Sequence, residues 1–366
     1  MTPAASPGAG RQRLVVLYGG RSAEHEVSCV SAAGVVRALD PARYEVVPIG
    51  ISHGGTWMQA DDLAEAVAAG KVPDPLPVAG RPVVPTDVLT DDVVVFPVLH
   101  GPYGEDGTVQ GLLELAGVPY VGSGVLGSAL AMDKVMAKQV LAQASLPQAH
   151  HLALAEWEAG PGGAEKVAAE LGWPVFVKPA NLGSSIGVSR AAGPDELAGA
   201  LALAFSHDEW AVVEEAVTGR EIECSVLGDR EPRASLPGEI RPSHDFYDYE
   251  DKYVAGAAEL LIPADLPPDV VVEVQHLAIE TFTALRLEGM ARVDFFYEEE
   301  GRGLLVNEAN TIPGFTPISM YPKLWEVSGL PYPQLLDELI ALALARHRRR
   351  ASRWAGNRSR GGPPGR

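Results

Sequence analysis

The chain has 366 residues with 29 basic and 48 acidic side chains, which gives a formal net charge of −19. Eight of the arginines lie in residues 346–366, so the preceding part carries 21 basic residues against the 48 acidic ones. An acidic body of this kind repels nucleic acid, and an anionic substrate would require a locally basic pocket. No apolar run approaches the roughly 20 residues needed to span a bilayer, and the two cysteines are typical of a reducing cytoplasm.

The first part of the chain alternates strand and helix signals. The apolar runs RLVVLYGG (13–20), YEVVPIGI (44–51) and DVVVFPVLHG (92–101) each predict a buried strand, and two of them end in glycine. Residues 23–39 have the spacing of a helix. Strands that alternate with helices indicate an α/β fold with a parallel sheet.

These elements predict an N-terminal substrate domain over residues 13–122, after a disordered segment at residues 1–12. Ligands of parallel α/β domains gather beyond the carboxyl ends of the strands. Residues 19–24 and the loop that begins at His100 follow two such ends, so we expect both to face a ligand.

Beyond residue 122 the pattern changes, and a helical segment carries Lys134 and Lys138. We predict a central lobe, a C-terminal lobe that contains a lid loop, and a disordered arginine-rich tail. The lid is long, polar and aromatic, and the tail is rich in Gly, Pro, Ser and Arg. The predicted ranges are 125–144 for the helix, 123–214 and 215–345 for the lobes, 240–256 for the lid and 346–366 for the tail.

Two familiar signatures occur without their usual context. GSGVLG (122–127) matches a dinucleotide-binding pattern, but no acidic residue closes a second strand about 20 residues later. GSSIG (183–187) matches the nucleophile elbow of serine hydrolases, and the histidines that follow it have no recognisable strand-end setting. Both alternatives are weaker than a phosphate-binding function for the second loop.

That second loop has the composition of a phosphate-binding turn. Its glycines allow the backbone to approach a ligand closely, and Ser184 and Ser185 add hydroxyl groups. The chain has few lysines, yet several flank this and the other site loops, where an ammonium group would reach a phosphate. These lysines are Lys134, Lys178 and Lys252.

Residues 291–310 predict a β-hairpin with a turn near residues 300–301. Folding about this turn sets Asp294 opposite Glu308, and the alternation of side chains places Asn310 on the same face. Two facing carboxylates favour a cation between them, and hard oxygen ligands are those that Mg²⁺ prefers. Alternatively, one acid is protonated or solvated, or Arg292 pairs with one of them.

Six motifs occur in the order found in the D-alanine–D-alanine ligases, and the chain resembles this family over residues 13–345. The resemblance implies an ATP-grasp fold of α/β class, preceded by a parallel α/β domain. The motifs are GGRSAEHEVS (19–28), HGPYGEDGTVQGLLE (100–114), VKPANLGSSIGVS (177–189), FYDYEDKY (246–253), ARVDFF (291–296) and NEANTIPGFTPIS (307–319).

The resemblance also implies the ligands. ATP would lie between the central and C-terminal lobes, and two Mg²⁺ or Mn²⁺ ions would be held by Asp294, Glu308 and Asn310. Lys252 would close over the γ-phosphate from the lid. The residues implied for ATP are Lys134, Lys178, Ser184, Ser185, Glu214, Glu221 and Lys252.

The implied reaction joins two D-alanine molecules through a D-alanyl phosphate, for peptidoglycan precursor synthesis. The catalytic residues would be Glu24, Ser184, Tyr253, Arg292 and Gly314, and the substrate contacts Glu24, His100, Arg292 and Ser319. Tyr253 favours D-alanine over D-lactate as second substrate, while a D-alanine–D-lactate ligase and a non-catalytic ATP-binding protein are the alternatives. The family also implies a homodimer.

Overall fold

The computed structural model describes residues 10–159, 163–241 and 259–360, and side chains are described for these except 163–164 and 354–360. Lys252, Tyr253 and all but the first two residues of the predicted lid lie outside these ranges. Within them the chain forms three β-sheets with helices packed around them.

The N-terminal sheet has strand order β4-β3-β2-β1-β5. Strand β1 pairs in parallel with β2 and β5, whereas β3 pairs antiparallel with both β2 and β4. The predicted parallel arrangement is therefore correct for the centre of the sheet and wrong for its edge. The elements are β1 (Gln12–Gly19), α1 (His25–Ala38), β2 (Tyr44–Ile51), β3 (Trp57–Gln59), α2 (Asp61–Ala68), β4 (Arg81–Val83), α3 (Pro85–Val88), β5 (Val93–Val98) and α4 (Thr108–Ala116).

The helix predicted over residues 125–144 is in fact two helices, α5 (Val125–Met132) and α6 (Lys134–Gln143). They meet at Asp133, whose backbone is extended and whose side chain accepts a hydrogen bond from Met136 N at 3.0 Å. A short acidic side chain caps a helix N-terminus by satisfying an N–H group that has no partner within the helix. The cap therefore starts a new helix at the lysine predicted to contact ATP.

The central sheet is antiparallel and has strand order β6-β9-β7-β8. Strand β7 is the predicted strand that carries Lys178, and the serine-containing loop follows it directly. The elements are β6 (His151–Ala155), α7 (Gly163–Glu170), β7 (Val175–Pro179), β8 (Ser189–Ala191), α8 (Pro194–Phe205) and β9 (Trp210–Glu215).

The C-terminal sheet is also antiparallel, with order β13-β12-β10-β14-β15 and β11 paired to β10. The predicted hairpin is present as β14 and β15, and its turn covers the predicted residues 300–301. The elements are β10 (Arg220–Gly228), β11 (Arg233–Ala234), β12 (Gly238–Arg241), β13 (Glu259–Leu261), α9 (Pro268–Ala284), β14 (Gly289–Glu298), β15 (Gly303–Asn310) and α10 (Met320–Val327).

The last helix, α11 (Tyr332–Arg360), continues well beyond residue 345. The prediction of a disordered tail is wrong for residues 346–360. Arg346 is 4% exposed and donates to Tyr120 O at 2.7 Å, while Arg349 pairs with Asp229 at 2.6 Å. The composition of the segment suggested disorder. However, carboxylate and carbonyl groups in the preceding part of the chain accept hydrogen bonds from its guanidinium groups. Residues 361–366 lie outside the described ranges.

The first half of α11 packs against the N-terminal sheet. Leu335, Leu336 and Leu339 are fully buried in the same hydrophobic cluster as Val16 of β1 and Phe96 of β5. This packing joins the C-terminal part of the chain to the N-terminal domain. None of the described helices has the length and apolarity needed to cross a bilayer.

Candidate active site

A cleft lies between the central and C-terminal sheets, with a volume of about 1080 Å³ including space open to solvent. Nine residues predicted from the sequence line it together. They are Lys134, Lys178, Ser184, Ser185, Glu214, Glu221, Arg292, Asp294 and Glu308.

The loop after β7 is held in an uncommon conformation. Ser184 and Ser185 have φ angles of 51° and 57°, in the left-handed region that non-glycine residues rarely adopt. Ser184 Oγ donates a short hydrogen bond to a carboxylate oxygen of Glu24. Lys134 Nζ donates to Leu182 O in the same loop and lies 3.8 Å from Glu308 Oε2. These contacts hold the loop against both the N-terminal domain and the hairpin. A strained backbone conformation that its surroundings hold in place is typical of functional sites.

One side of the cleft is formed by a buried group of three charged residues, which we call the basic wall. Glu214 on β9 lies between Lys178 on β7 and Lys138 on α6. Lys178 Nζ is 2.9 Å from Glu214 Oε2, and Lys138 Nζ is 3.1 Å from Glu214 Oε1. Lys178 also donates to Asn307 Oδ1 at 3.4 Å. Two ammonium groups therefore share one carboxylate.

The pKa values in the basic wall follow from this pairing. Burial alone would raise the pKa of Glu214, but Lys138 and Lys178 outweigh it and lower the pKa to about 2. Burial alone would lower the pKa of Lys178, but Glu214 and Glu308 outweigh it and raise the pKa. Glu214 and Lys178 are therefore both charged at neutral pH, and the wall contains two lysines for one carboxylate.

The opposite side carries carboxylates in one row across three neighbouring strands, which we call the acidic row. Glu223 on β10 is directly opposite Asp294 on β14, and Asp294 is directly opposite Glu308 on β15. The predicted pairing of Asp294 with Glu308 is therefore confirmed. Asn310 pairs in register with Arg292, and its Nδ2 donates to Asp294 Oδ2 at 2.9 Å.

Arg292 holds the acidic row together. Its Nε and one terminal nitrogen each lie 2.7 Å from an oxygen of Asp294, a bidentate pair, and its Nε is 3.1 Å from Glu223 Oε2. Planar guanidinium groups suit this fork because two parallel N–H bonds fix their orientation. The alternative considered from the sequence, that Arg292 pairs with one of the acids, is observed.

The donor set formed by Asp294, Glu308 and Asn310 fits a hard cation. Carboxylates directly opposite on adjacent strands have Cβ atoms about 5 Å apart, and oxygen ligands suit divalent ions that also bind phosphate. Among the described residues, no group of three or more His, Cys, Asp or Glu side chains is arranged to hold a metal ion.

His100 lies beneath the turn that follows β15. The ring is 5% exposed, and burial, opposed by Glu24, lowers its pKa. In its neutral form Nδ1 donates to Ile312 O at 3.0 Å, and Nε2 accepts from Ser31 Oγ at 3.1 Å. Both ring nitrogens thus contact protein groups, which favours support of the turn over the predicted contact with substrate.

Gly314 and Ser319 are neighbours in that turn. A Cβ atom on residue 314 would lie 2.6 Å from Ser319 Oγ, so a side chain there would displace that hydroxyl group. Ser319 Oγ accepts from Thr316 N at 3.0 Å and lies 2.7 Å from Thr316 Oγ1. The two predicted site residues are therefore brought together at the start of α10.

Glu105 connects two loops of the site. Its carboxylate accepts from Gly101 N at 2.7 Å and from Ile312 N at 3.0 Å. Burial and the charge of Glu24 raise the pKa of Glu105 to about 8. The loop after β5 and the turn after β15 are thus fixed relative to each other by one side chain.

The sequence motifs assign no role to Lys138, Glu223 or Glu105. Glu223 could have been found, since it lies two residues after Glu221 on a strand and therefore on the same face. Lys138 lies four residues after Lys134 on α6, which places both on one side of the helix. Neither spacing shows which partner the side chain meets.

Family models match most of the chain. Residues 13–123 match the model described as D-ala D-ala ligase N-terminus, and residues 140–341 match D-ala D-ala ligase C-terminus. The chain belongs to the D-alanine–D-alanine ligase family. It therefore has the ATP-grasp fold.

Relatives of this family match along nearly their whole length. The D-alanine–D-alanine ligase of Geobacillus thermodenitrificans is 47% identical over 92% of this chain and 96% of its own. That of Solibacter usitatus is 48% identical over 92% and 97%. The solved structure of the Coxiella burnetii D-alanine–D-alanine ligase superimposes with a TM-score of 0.84 at 38% identity, covering 96% of this chain and 100% of its own.

A solved relative with a different second substrate in its name also matches. The VanG D-Ala:D-Ser ligase of Enterococcus faecalis superimposes with a TM-score of 0.78 at 34% identity, covering 91% of this chain and 99% of its own. The common fold therefore occurs in ligases that are named for different second substrates. The second substrate of this protein has to be argued from individual residues.

Proposed function

We propose that the protein joins two D-alanine molecules to D-alanyl-D-alanine and converts one ATP to ADP and phosphate in doing so. The observation that carries the proposal is that one cleft combines a phosphate-binding loop, a basic wall and an acidic row. The names of relatives that match over most of the chain support the same activity.

In the first step, the carboxylate of the first D-alanine attacks the γ-phosphorus of ATP, the bond to ADP breaks, and an acyl phosphate forms. The transferred group needs positioning and neutralisation of charge more than covalent help from the protein. Lys134 and Lys178 are suited to the phosphate oxygens, as are the hydroxyl groups of Ser184 and Ser185. We assign Glu24 to the ammonium group of the first D-alanine.

In the second step, the amine of the second D-alanine attacks the acyl carbon, a tetrahedral intermediate forms, and phosphate leaves as the amide is made. The developing oxyanion requires donors that are already in position. We assign the guanidinium of Arg292 and the N–H of Gly314 to this function. Ser319, which lies next to Gly314, is assigned to the carboxylate of the second D-alanine.

We propose that two Mg²⁺ or Mn²⁺ ions are held by Asp294, Glu308 and Asn310. Such ions neutralise phosphate charge and orient the phosphoryl group when bound. Glu221 is assigned to a contact with the nucleotide. Glu214, whose two oxygens face Lys178 and Lys138, is assigned to ATP through its ion pair with Lys178. Lys252, which lies outside the described residues, is assigned to the γ-phosphate.

The second substrate is proposed to be D-alanine. The support is Tyr253, which ligases using D-lactate generally lack in the lid, and this residue lies outside the described ranges. Because a related enzyme is named as a D-Ala:D-Ser ligase, D-serine is a further second substrate to test. A non-catalytic ATP-binding protein is disfavoured because the acidic row and Arg292 are complete.

The proposal is tested with purified protein, ATP, Mg²⁺ and D-alanine. We expect phosphate release together with D-alanyl-D-alanine, and neither when L-alanine replaces D-alanine. Parallel reactions with D-lactate or D-serine as second substrate should yield much less mixed product at neutral pH. Binding of ATP without dipeptide formation would overturn the proposal.

We also propose a cytoplasmic homodimer. A cytoplasmic site is supported by the use of ATP and by two buried free thiols, Cys29 and Cys224. An interface on α4 is supported by Leu112 and Leu115, which lie on one face of the helix and are 36% and 91% exposed. Light scattering should show a dimer that Leu115→Glu dissociates, whereas Leu203→Glu, at another exposed leucine, should leave it intact.

A further inference from the structure

Lys138 lies behind the residues that line the cleft. Its side chain is 3% exposed, and its ammonium group faces the same carboxylate that holds Lys178. Its backbone carbonyl accepts from Gln148 Nε2 at 3.1 Å, and Gln148 bridges to Val306 of β15. The backbone of Lys138 is therefore anchored to a segment that pairs with β15, and its buried side chain lies outside the lining of the cleft.

The arrangement determines how much positive charge Lys178 can offer. If Lys178 were the only lysine beside Glu214, the carboxylate would neutralise the charge of its ammonium group. Movement of Lys178 toward a phosphate would then leave a buried carboxylate without a partner. A buried charge that loses its partner is strongly unfavourable. Because Lys138 contacts the other oxygen, Glu214 keeps a partner when Lys178 moves toward a phosphate.

The remaining charged groups around Glu214 do not replace Lys138. His151 lies opposite Glu214 on β6, and burial, followed by the charge of Lys138, lowers the pKa of its ring, so it is neutral at pH 7. Glu221 and Glu308 line the cleft near Lys178 and are acidic. Among the described groups around it, Lys138 is thus the second cation on this carboxylate.

We propose that Lys138 is a positioning residue for phosphate binding: it compensates Glu214, so that Lys178 presents an uncompensated positive charge to the phosphates of the nucleotide. The inference rests on the ATP site of the proposed function. It predicts that Lys138 affects ligands through their phosphates and has little influence on the part of the cleft that binds the nucleoside.

The test compares two ligands on the Lys138→Met variant. Calorimetry should show ATP binding weakened at least about tenfold, because a buried charge pair has been broken next to the phosphate lysine. Adenosine, measured by competition, should bind within about twofold of wild type, because it lacks phosphates. A general distortion of the cleft would weaken both ligands equally and would overturn the proposal.

A matched control removes a buried cation elsewhere. Arg346→Met breaks the contacts of Arg346 with Tyr120 O and Glu288, far along the chain from the cleft residues. We expect it to lower the melting temperature without changing ATP affinity. If Arg346→Met weakened ATP binding as much as Lys138→Met, the effect would come from lost stability, and the proposal would fail.

A second variant keeps the test informative if Lys138→Met folds poorly. Lys138→Met combined with Glu214→Gln removes one charge of each sign and leaves Lys178 uncompensated. Neutral replacement of a buried ion pair is often tolerated. We expect this double variant to recover ATP affinity relative to Lys138→Met, and no recovery would contradict the proposal.

Steady-state kinetics separates this inference from the proposed function. For Lys138→Met we expect a raised KM for ATP with a smaller change in kcat, since the residue acts on binding of the phosphates. Wild-type protein that fails to bind ATP would refute the ATP site itself. Wild-type protein that binds ATP, with an unchanged Lys138→Met variant, would refute the role of Lys138 alone.

Discussion

The two sides of the cleft use the same structural device with opposite charge. In the basic wall, Glu214 holds two lysines, whereas in the acidic row Arg292 contacts two of three carboxylates. In the basic wall the central residue, Glu214, is negative and its two neighbours are positive. In the acidic row the central residue, Arg292, is positive and its neighbours are negative. The excess is positive on one side and negative on the other.

Under the proposed function, the positive excess would face the phosphates of ATP and the negative excess the cations that accompany them. The minority charge on each side keeps like-charged side chains together in a partly buried site. Asp294→Asn and Glu223→Gln each remove a carboxylate of the acidic row, whereas Arg346→Met and Glu105→Gln lie outside the lining of the cleft and should affect catalysis least.

The largest effect is expected from Asp294→Asn in the acidic row. Loss of an outer partner of a metal ligand commonly costs about 10–100-fold in activity or affinity, so loss of a ligand should lower kcat by at least about 100-fold. Paramagnetic resonance should also show weaker Mn²⁺ binding in the presence of ADP. Asp91→Asn, at an exposed acid outside the site, serves as control and should behave as wild type.

A smaller loss is expected from Glu223→Gln. Glu223 is 4% exposed and contacts Arg292, so it orients the guanidinium when Asp294 is engaged with cations. We expect kcat to fall about 10–100-fold with little change in the KM for ATP. Equal changes in both constants would show that Glu223 supports the whole cleft rather than Arg292.

Outside the cleft, Arg346→Met should reduce stability and leave catalysis unchanged. Arg346→Met leaves the buried carbonyl groups of Gly122 and Tyr120 without this donor, and an unsatisfied buried acceptor costs about 1–3 kcal/mol. Urea unfolding should therefore give a lower midpoint, with kcat and the KM for ATP near wild type. Unchanged stability would mean that solvent replaces the contacts with Tyr120 O and Glu288.

The smallest effect on catalysis is expected from Glu105→Gln, which should instead change the pH dependence of stability. The pKa of Glu105 is raised from 4.5 to about 8 in the folded protein, so the folded state binds more protons than the unfolded state between these values. The free energy of unfolding should therefore decrease as pH rises through this window. Glu105→Gln should lack that decrease, which urea unfolding at several pH values between about 5 and 8 will measure. Parallel profiles for the two proteins would contradict the assignment.

Local patterns determined much of the fold and part of the site. The predicted strands within 13–20, 44–51 and 92–101 are present, since short apolar runs encode buried strands directly. The hairpin register of Asp294 and Glu308 followed from the period of two and the position of one turn. Adjacent residues fix such features, so a single sequence contains the necessary information.

The ionic partners were decided by the tertiary structure. Lys138 and Glu214 are 76 positions apart in the chain and meet only because α6 packs behind β9. The composition around Arg346 suggested disorder. The segment is nevertheless helical because carboxylate and carbonyl groups from distant segments accept hydrogen bonds from its arginines. Composition and periodicity describe a segment in isolation, whereas a buried charge is stabilised by groups that the chain brings to it only on folding.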